Sequence, residues 1–398
     1  MPDVDIRPAR DEEMAEFARQ ASRQLALPAA MFEGMAAAWT MCAFVDGAIA
    51  TTLAAWPLQI RLSGRVVRMA GVTQVSTHPA HRRRGYLRAV VRRHFELMHE
   101  AGEVAFAGLH PAWVAIYQRY GYGSVHQRHC YRIAPRDIAF HRPVAANGAL
   151  REVDPVAEFG VLVEVYRRYR EARTGMVHRG RAMWQAGPLQ APPSGWKQVV
   201  LAYQEAGETL GYVVYCHGGN ARPRRLWVTD LFALSPAAYQ ALWQALAGYD
   251  NVDEVMWDNA PADDPLPLML VEPRQLNQTV RDGIVARLVT VADAMAQRPY
   301  AAVSELRFGL ADSFCAWNAG AWRVATSAEG GQVARIDGQE VDFTLTPDTL
   351  ASLVFGRFSA TQAAAAGLLD GVRGRDALAR WDAVLRLAHP PHEAEHTW

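Results

Sequence analysis

The chain has almost no lysine. Lys197 is the only one, so nearly all of its 41 basic residues are arginine. The bias reads mainly as genome composition, but it makes the cation of the basic loops arginine, a residue well shaped for phosphate. Cysteine is scarce too. Cys42, Cys130, Cys216 and Cys315 are widely spread with no C-x-x-C pair, which excludes a disulfide framework and a zinc knuckle. They read as buried thiols in a reducing compartment. No apolar run reaches the roughly 18 residues of a membrane span, and "MPDVDIRPARDEEMAEF" is too charged for a secretory leader. A cytoplasmic protein is expected. Net charge is zero, which removes a global pull toward nucleic acid or acidic membranes. G-x-G-x-x-G is absent, which disfavours a dinucleotide fold.

What is present fills 398 residues, enough for two or three domains. The first third alternates strands and helices. "VDIRPA" reads as a strand and Asp11 caps a helix. "TMCAFVDGAIATTLAAW" is a hairpin about Asp46-Gly47. The strand "RVVRMAGVTQVST" leads through the basic loop "HPAHRRR" into the helix "GYLRAVVRRHFELMHEAG". "VAFAGLH" is a buried strand, "PAWVAIYQRYG" a short helix, and "YGSVHQRHCYRI" a closing strand. The second third repeats this order in degenerate form: "WVTDLFAL" enters its helix through Ser235-Pro236, with no arginine cluster and no glycine. From about Val291 an α+β pattern follows, and Pro390-Pro391 stops the last helix.

Three stretches could carry chemistry. In "VSTHPAHRRRGYLR", Arg82-x-x-Gly85-x-Leu87 lies between a strand and a helix. A helix N-terminus with free N–H groups, a glycine for close approach and flanking arginines make a pyrophosphate site. Without that context the loop would read as a solvated basic face. In "IYQRYGYG", a tyrosine could serve as a general acid, its ordinary pKa near ~10 being close to that of a thiolate leaving group. From composition alone, Tyr117, Tyr120 and Tyr122 read as amphipathic core. Finally, the C-terminal "HPPHEAEHTW" contains His392-Glu393-Ala394-Glu395-His396, an H-E-x-x-H pattern. Zinc chemistry needs that pattern on a helix, with a third ligand. Here Pro390-Pro391 precede it and only two residues follow, so zinc is not expected. A nucleic-acid surface is disfavoured because the basic stretch lacks interleaved aromatics.

Together, "GVTQVSTHPAHRRRGYLR", "IYQRYGYG", "DEVMWDNAPADDPLPLML" and "RDGIVARLVTVADAMAQRPY" resemble the enhanced intracellular survival family, aminoglycoside acetyltransferases of the GNAT superfamily. Leu87 stands where many GNAT members have glycine or alanine, as fits this branch. The resemblance spans essentially the whole chain. It implies an α/β (α+β) fold class with two GNAT acetyltransferase-like domains in tandem, followed by a sterol-carrier-protein-like α+β domain. These are expected over 1–142, 143–290 and 291–398, the second domain being degenerate.

The resemblance also implies roles. Acetyl-CoA would be the co-substrate, with no metal, and an aminoglycoside, polyamine or lysine side chain the amine acceptor. Val75, Ser76 and Thr77 would pair with the pantetheine arm. Arg82, Arg83, Arg84, Gly85, Tyr86, Leu87 and Arg88 would hold the pyrophosphate, and Tyr117 and Gln118 would add acetyl-CoA contacts. Tyr122 would protonate the departing thiolate, and the α-carboxylate of Trp398, on a tail folded back, would be the base. Phe32 and Trp39 are candidates for the acceptor pocket, and the sterol-carrier-like domain is expected to shape the cavity and position the tail. A homohexamer is implied, with no membrane or nucleic-acid partner. The alternative class is a non-catalytic acyl-CoA-binding or ligand-carrier protein.

Overall fold

The structure, a computed structural model, describes residues 3–27, 34–145, 147–219, 222–337 and 340–395. The chain forms two compact units. One takes the chain up to Val125 and then Ile284–Leu387; the other takes His126–Gly283 and the tail from Ala388.

The first unit is built on a seven-stranded sheet. β1 (Val4–Arg7), β2 (Thr40–Val45), β3 (Ala48–Leu62) and β4 (Arg65–Thr77) form an antiparallel meander. Both tight hairpin turns have two residues at positive φ, Asp46-Gly47 (50° and 82°) and Ser63-Gly64 (49° and 84°). That is the turn whose twist matches paired strands. α1 (Met14–Leu25) buries Phe17 and Ala21. β4 is followed by α2 (Tyr86–Ala101) and the parallel strand β5 (Phe106–Leu109). α2 buries Val90, Val91 and Phe95 on one face and ends on Gly102 at φ 66°. α3 (Val114–Gln118) is shorter than the expected helix, because it starts only after Trp113, three residues past the expected Pro111 start.

The expected strand over 122–133 is divided. β6 (Gly123–Ser124) belongs to the first sheet, whereas β7 (Gln127–Ile133) belongs to the second. Between β5 and β6 lies a strand with no clear local signal, Val285–Leu288, antiparallel to both. It arrives more than 150 residues after β6 yet completes the core of the first sheet: Val285 and Val289 share a buried cluster with Val72, Phe95 and Leu109. The same unit holds a four-stranded sheet, Gly330–Arg335, Gly320–Ser327, Ser304–Leu310 and Phe343–Leu345 in spatial order.

The second unit repeats the plan. Its sheet runs β13 (Thr279–Asp282), β7, β12 (Glu254–Ala260), β11 (Arg225–Ala233), β10 (Glu208–Gly218), β9 (Trp196–Glu205) and β8 (Ala149–Glu152). α4 (Phe159–Arg170), α5 (Arg181–Ala186) and α6 (Pro236–Ala247) accompany it. α6 joins the parallel pair β11 and β12, as α2 joins β4 and β5. All four cysteines are buried free thiols. Among the described residues no helix is long and apolar enough to cross a membrane.

Candidate active site

The site begins where two parallel strands separate. β4 pairs with β5 only at Met69–Phe106, Ala70–Ala107 and Gly71–Gly108, yet β4 continues to Thr77. Past Gly71 the edge of β4 that faced β5 has lost its ladder partner, and buried backbone groups need partners. A bulge helps to turn the strand there. Gln74 lies at φ 53°, a left-handed conformation uncommon for a non-glycine residue, and the β3–β4 register shifts between Thr52 and Ala54. Thr52 Oγ1 staples the bulge by donating to the Gln74 carbonyl at 2.8 Å, and it lies 2.7 Å from Ser76 Oγ. Val75 and Thr77 are half-buried beside a buried Ser76. These are the strand residues expected to meet a pantetheine arm.

Arg82 to Arg88 form the turn into α2. Gly85 caps the helix at φ 86°, and the first helical bond runs from the Ala89 amide to the Gly85 carbonyl at 3.1 Å. The amides of Tyr86, Leu87 and Arg88 precede that bond and point out of the helix N-terminus. Arg83 is left-handed too, at φ 61°. Arg82 Nε braces the loop on the Thr77 carbonyl at 3.2 Å, whereas Arg83 and Arg84 are exposed. Arg88 is also exposed, and its guanidinium lies 5.4 Å from the Phe314 ring centre. Tyr86 and Leu87 are half-buried and pack on the core.

The tyrosines are core residues. Tyr117 and Tyr122 meet edge to face at 5.9 Å, and Tyr122 lies 5.8 Å from Phe95 of α2. Tyr122 is 1% exposed and belongs to the same cluster as Val72 and Leu109, where the strands separate. Burial pushes its phenol far above the ordinary value, and the charge of Arg287 opposes that rise. Burial also pushes Tyr117 up to about 12. Both are therefore protonated at neutral pH. Gln118 is exposed. Trp39 is 37% exposed and packs edge-on against Trp56. Phe32 lies outside the described residues, as do His396 and Trp398.

In the second unit the corresponding cleft is used differently. β11 and β12 pair from Arg225–Glu254 to Val228–Trp257 and then lose their ladder, as β4 and β5 do. At the start of α6 the Ser235 side chain accepts the Ala238 amide at 3.2 Å, and Pro236 removes another donor. The helix end that binds phosphate in such folds is thus capped by the chain itself. Beyond the parting, the tail is bound. Asn259 Nδ2 donates to the Glu393 carbonyl at 3.2 Å, and the His392 amide to the Thr174 carbonyl at 2.8 Å. Buried Arg179 joins Asp230 of β11 at 2.7 Å and Glu395 at 2.5 Å. His392, Glu393, Ala394 and Glu395 are all buried.

The tail over 388–395 is therefore not frayed. Nor is it helical, so it lacks the geometry a zinc-binding H-E-x-x-H requires. The anchors found for it belong to the second unit, where the sequence pointed to the sterol-carrier-like region. Equilibrium titration should consequently find one acetyl-CoA per chain. A reproducible stoichiometry of two would mean that the second cleft is still open.

The acetyltransferase (GNAT) domain family matches residues 5–125, and a second family of that description matches 175–288. The sterol carrier protein domain matches 291–393. An uncharacterized N-acetyltransferase of Streptomyces coelicolor is 32% identical over 321 residues, covering 78% of this chain and 76% of that one. N-acetyltransferase Eis of Mycobacterium tuberculosis is 30% identical over 286 residues, covering 67% and 69%. The chain belongs to the Eis-like family of GNAT N-acetyltransferases. The crystal structure of Eis1 from Mycobacterium abscessus agrees, with a TM-score of 0.84 at 28% identity over 98% of this chain and 99% of that one.

This Eis-like chain is accordingly an acyltransferase with two GNAT domains in tandem and a sterol-carrier domain. Sequence reasoning missed two charged residues beside the tyrosine turn, Arg287 and Asp312. They form a fully buried ion pair at 2.5 Å. No local pattern marks either one. The neighbouring signal was Gly121, at φ 80°, where a Cβ would come 1.8 Å from Arg287 Nη1.

Proposed function

We propose that the enzyme transfers an acetyl group from acetyl-CoA to a primary amine, by direct attack within a ternary complex. The acceptor is a small molecule such as an aminoglycoside or a polyamine, or a lysine side chain. The observation that carries this reading is the parting of β4 from β5 beside a glycine-capped arginine turn. The two features offer one extended molecule a strand edge for its amide arm and a helix N-terminus for its pyrophosphate. In this reading residues 1–142 are the catalytic domain, 143–290 a degenerate copy and 291–398 the sterol-carrier-like domain with its tail. The resemblance carries a cytoplasmic homohexamer into the proposal as well.

The amine gives up a proton to the Trp398 α-carboxylate, directly or through water, and its lone pair attacks the thioester carbon. Backbone N–H of β4 beyond Thr73 polarises the carbonyl. The C–S bond breaks, sulfur leaves with the bonding pair, and Tyr122 Oη protonates it. Val75, Ser76 and Thr77 hold the pantetheine, Arg82 to Arg88 the pyrophosphate, and Tyr117 and Gln118 add contacts.

A thiol-release assay with acetyl-CoA and a panel of amines tests the reading. Arg83→Ala with Arg84→Ala should weaken acetyl-CoA binding strongly, since each charge-assisted bond is worth about 1.5–3 kcal/mol. Both arginines are exposed, so the variant should fold. Unchanged calorimetric affinity would remove the proposed site. Tight binding of acetyl-CoA with no thiol release for any amine would favour an acyl-CoA carrier instead.

A further inference from the structure

We infer that Arg287 is a positioning residue for the acid Tyr122, and that Asp312 holds Arg287 in place. The inference rests on the reading of Tyr122 as the acid. Arg287 is completely buried and comes from the strand Val285–Leu288, beside β6. Its Nη1 donates to the Tyr120 carbonyl, and Nη2 pairs with Asp312 at 2.5 Å. Its guanidinium sits 5.2 Å from the centre of Phe95, the ring that also packs on Tyr122. The turn Tyr120-Gly121-Tyr122 is thus built around the guanidinium, and Gly121 is the one residue there whose missing Cβ admits it. Asp312 is in turn over-determined. Its Oδ1 accepts the amides of Phe314 at 3.1 Å and Cys315 at 2.9 Å, and its Oδ2 accepts Asn318 Nδ2 at 3.3 Å.

The chemistry explains why a fixed cation is needed. When sulfur takes the proton of Tyr122 Oη, the O–H bond breaks and a phenolate remains until water reprotonates it. A phenolate among Phe95, Tyr117 and their apolar neighbours is very costly in isolation. A cation already in place stabilises it as it forms, with no reorganisation at the moment of reaction. The acid therefore depends on residues 165 to 190 positions away in the sequence. Arg287 lies within the second matched family region and Asp312 within the third.

The test is a mutant cycle. Arg287→Met with Asp312→Leu removes the pair without leaving a lone buried charge, a change that folded proteins often tolerate. In the wild-type background kcat should fall roughly 10²-fold, with acetyl-CoA affinity unchanged. In a Tyr122→Phe background the same change should cost less than about threefold, because the groups act as a unit. A merely structural pair would cost the same factor in both backgrounds, and that result overturns the inference. Wild-type turnover in Tyr122→Phe alone would instead sink the acid reading on which it rests. Should the paired variant not fold, Arg287→Lys takes its place. It keeps the cation but loses the fork that binds Tyr120 and Asp312 together. A lower kcat that vanishes in the Tyr122→Phe background supports the inference, and an equal loss in both overturns it.

Discussion

Tyr122→Phe is expected to lower turnover by about 10²–10⁴-fold, the usual contribution of general acid catalysis, while acetyl-CoA still binds. The variant keeps the ring, so the contacts with Phe95 and Tyr117 that fill the core survive. Only the proton donor is lost. Burial holds the phenol far above its ordinary value, so the wild-type residue carries its proton throughout the neutral range. Its activity should accordingly show no loss of the acid up to at least mildly alkaline pH. Single-turnover thiol release, measured beside calorimetric acetyl-CoA affinity, separates chemistry from binding. If Tyr122→Phe matches the wild type in the first measurement, Tyr122 is a packing residue and sulfur takes its proton elsewhere.

Extending the chain past Trp398, for example with a C-terminal polyhistidine tag, is expected to leave a folded protein that binds acetyl-CoA and is nearly inactive. The extension keeps every side chain and moves only the free carboxylate. Near-attack geometry is set within about an ångström, so a displaced base costs rate steeply. The anchors of the tail sharpen the expectation. Glu395 is fixed to Arg179, and Asn259 holds the Glu393 carbonyl. Only three residues follow Glu395, so an extension beyond Trp398 adds chain close to a fixed anchor. Deleting Trp398 should also be damaging, because the carboxylate then falls one residue short. A chelator should leave the untagged enzyme active. A fully active tagged enzyme would overturn the carboxylate as the base.

Much of the local design was legible. The strand at Arg65–Thr77 and the helix after the arginine turn appear within a residue of where their patterns place them. Apolar spacing, an Asp-Gly turn and two terminal glycines act over a few neighbours, and such signals survive without tertiary context. The lack of an arginine–glycine loop in the second unit was legible too, because Ser235-Pro236 stands in its place, and the structure adds that Ser235 caps the helix. The likeness to acetyltransferases followed from those same motifs.

What the sequence alone determined is therefore many of the local elements and the family. It placed the candidate residues in the arginine turn and the tyrosine turn. Only the tertiary structure decided how those turns are completed. Gly121 and Gly123 look like ordinary turn glycines, but Arg287 fills the space of one Cβ and the Asp348 carbonyl that of the other. The strand expected over 122–133 is divided because its first residues pair with Val285 and Ala286 and its later ones with Thr279–Asp282. The described part of the final H-E-x-x-H pattern, His392 to Glu395, is not helical, because Thr174, Asn259 and Arg179 supply partners for its backbone and for its buried carboxylate. In each case the deciding partner lies more than 100 residues away. A local pattern cannot encode it, since what selects the conformation is burial of a charge or a backbone group that must find its partner across the fold.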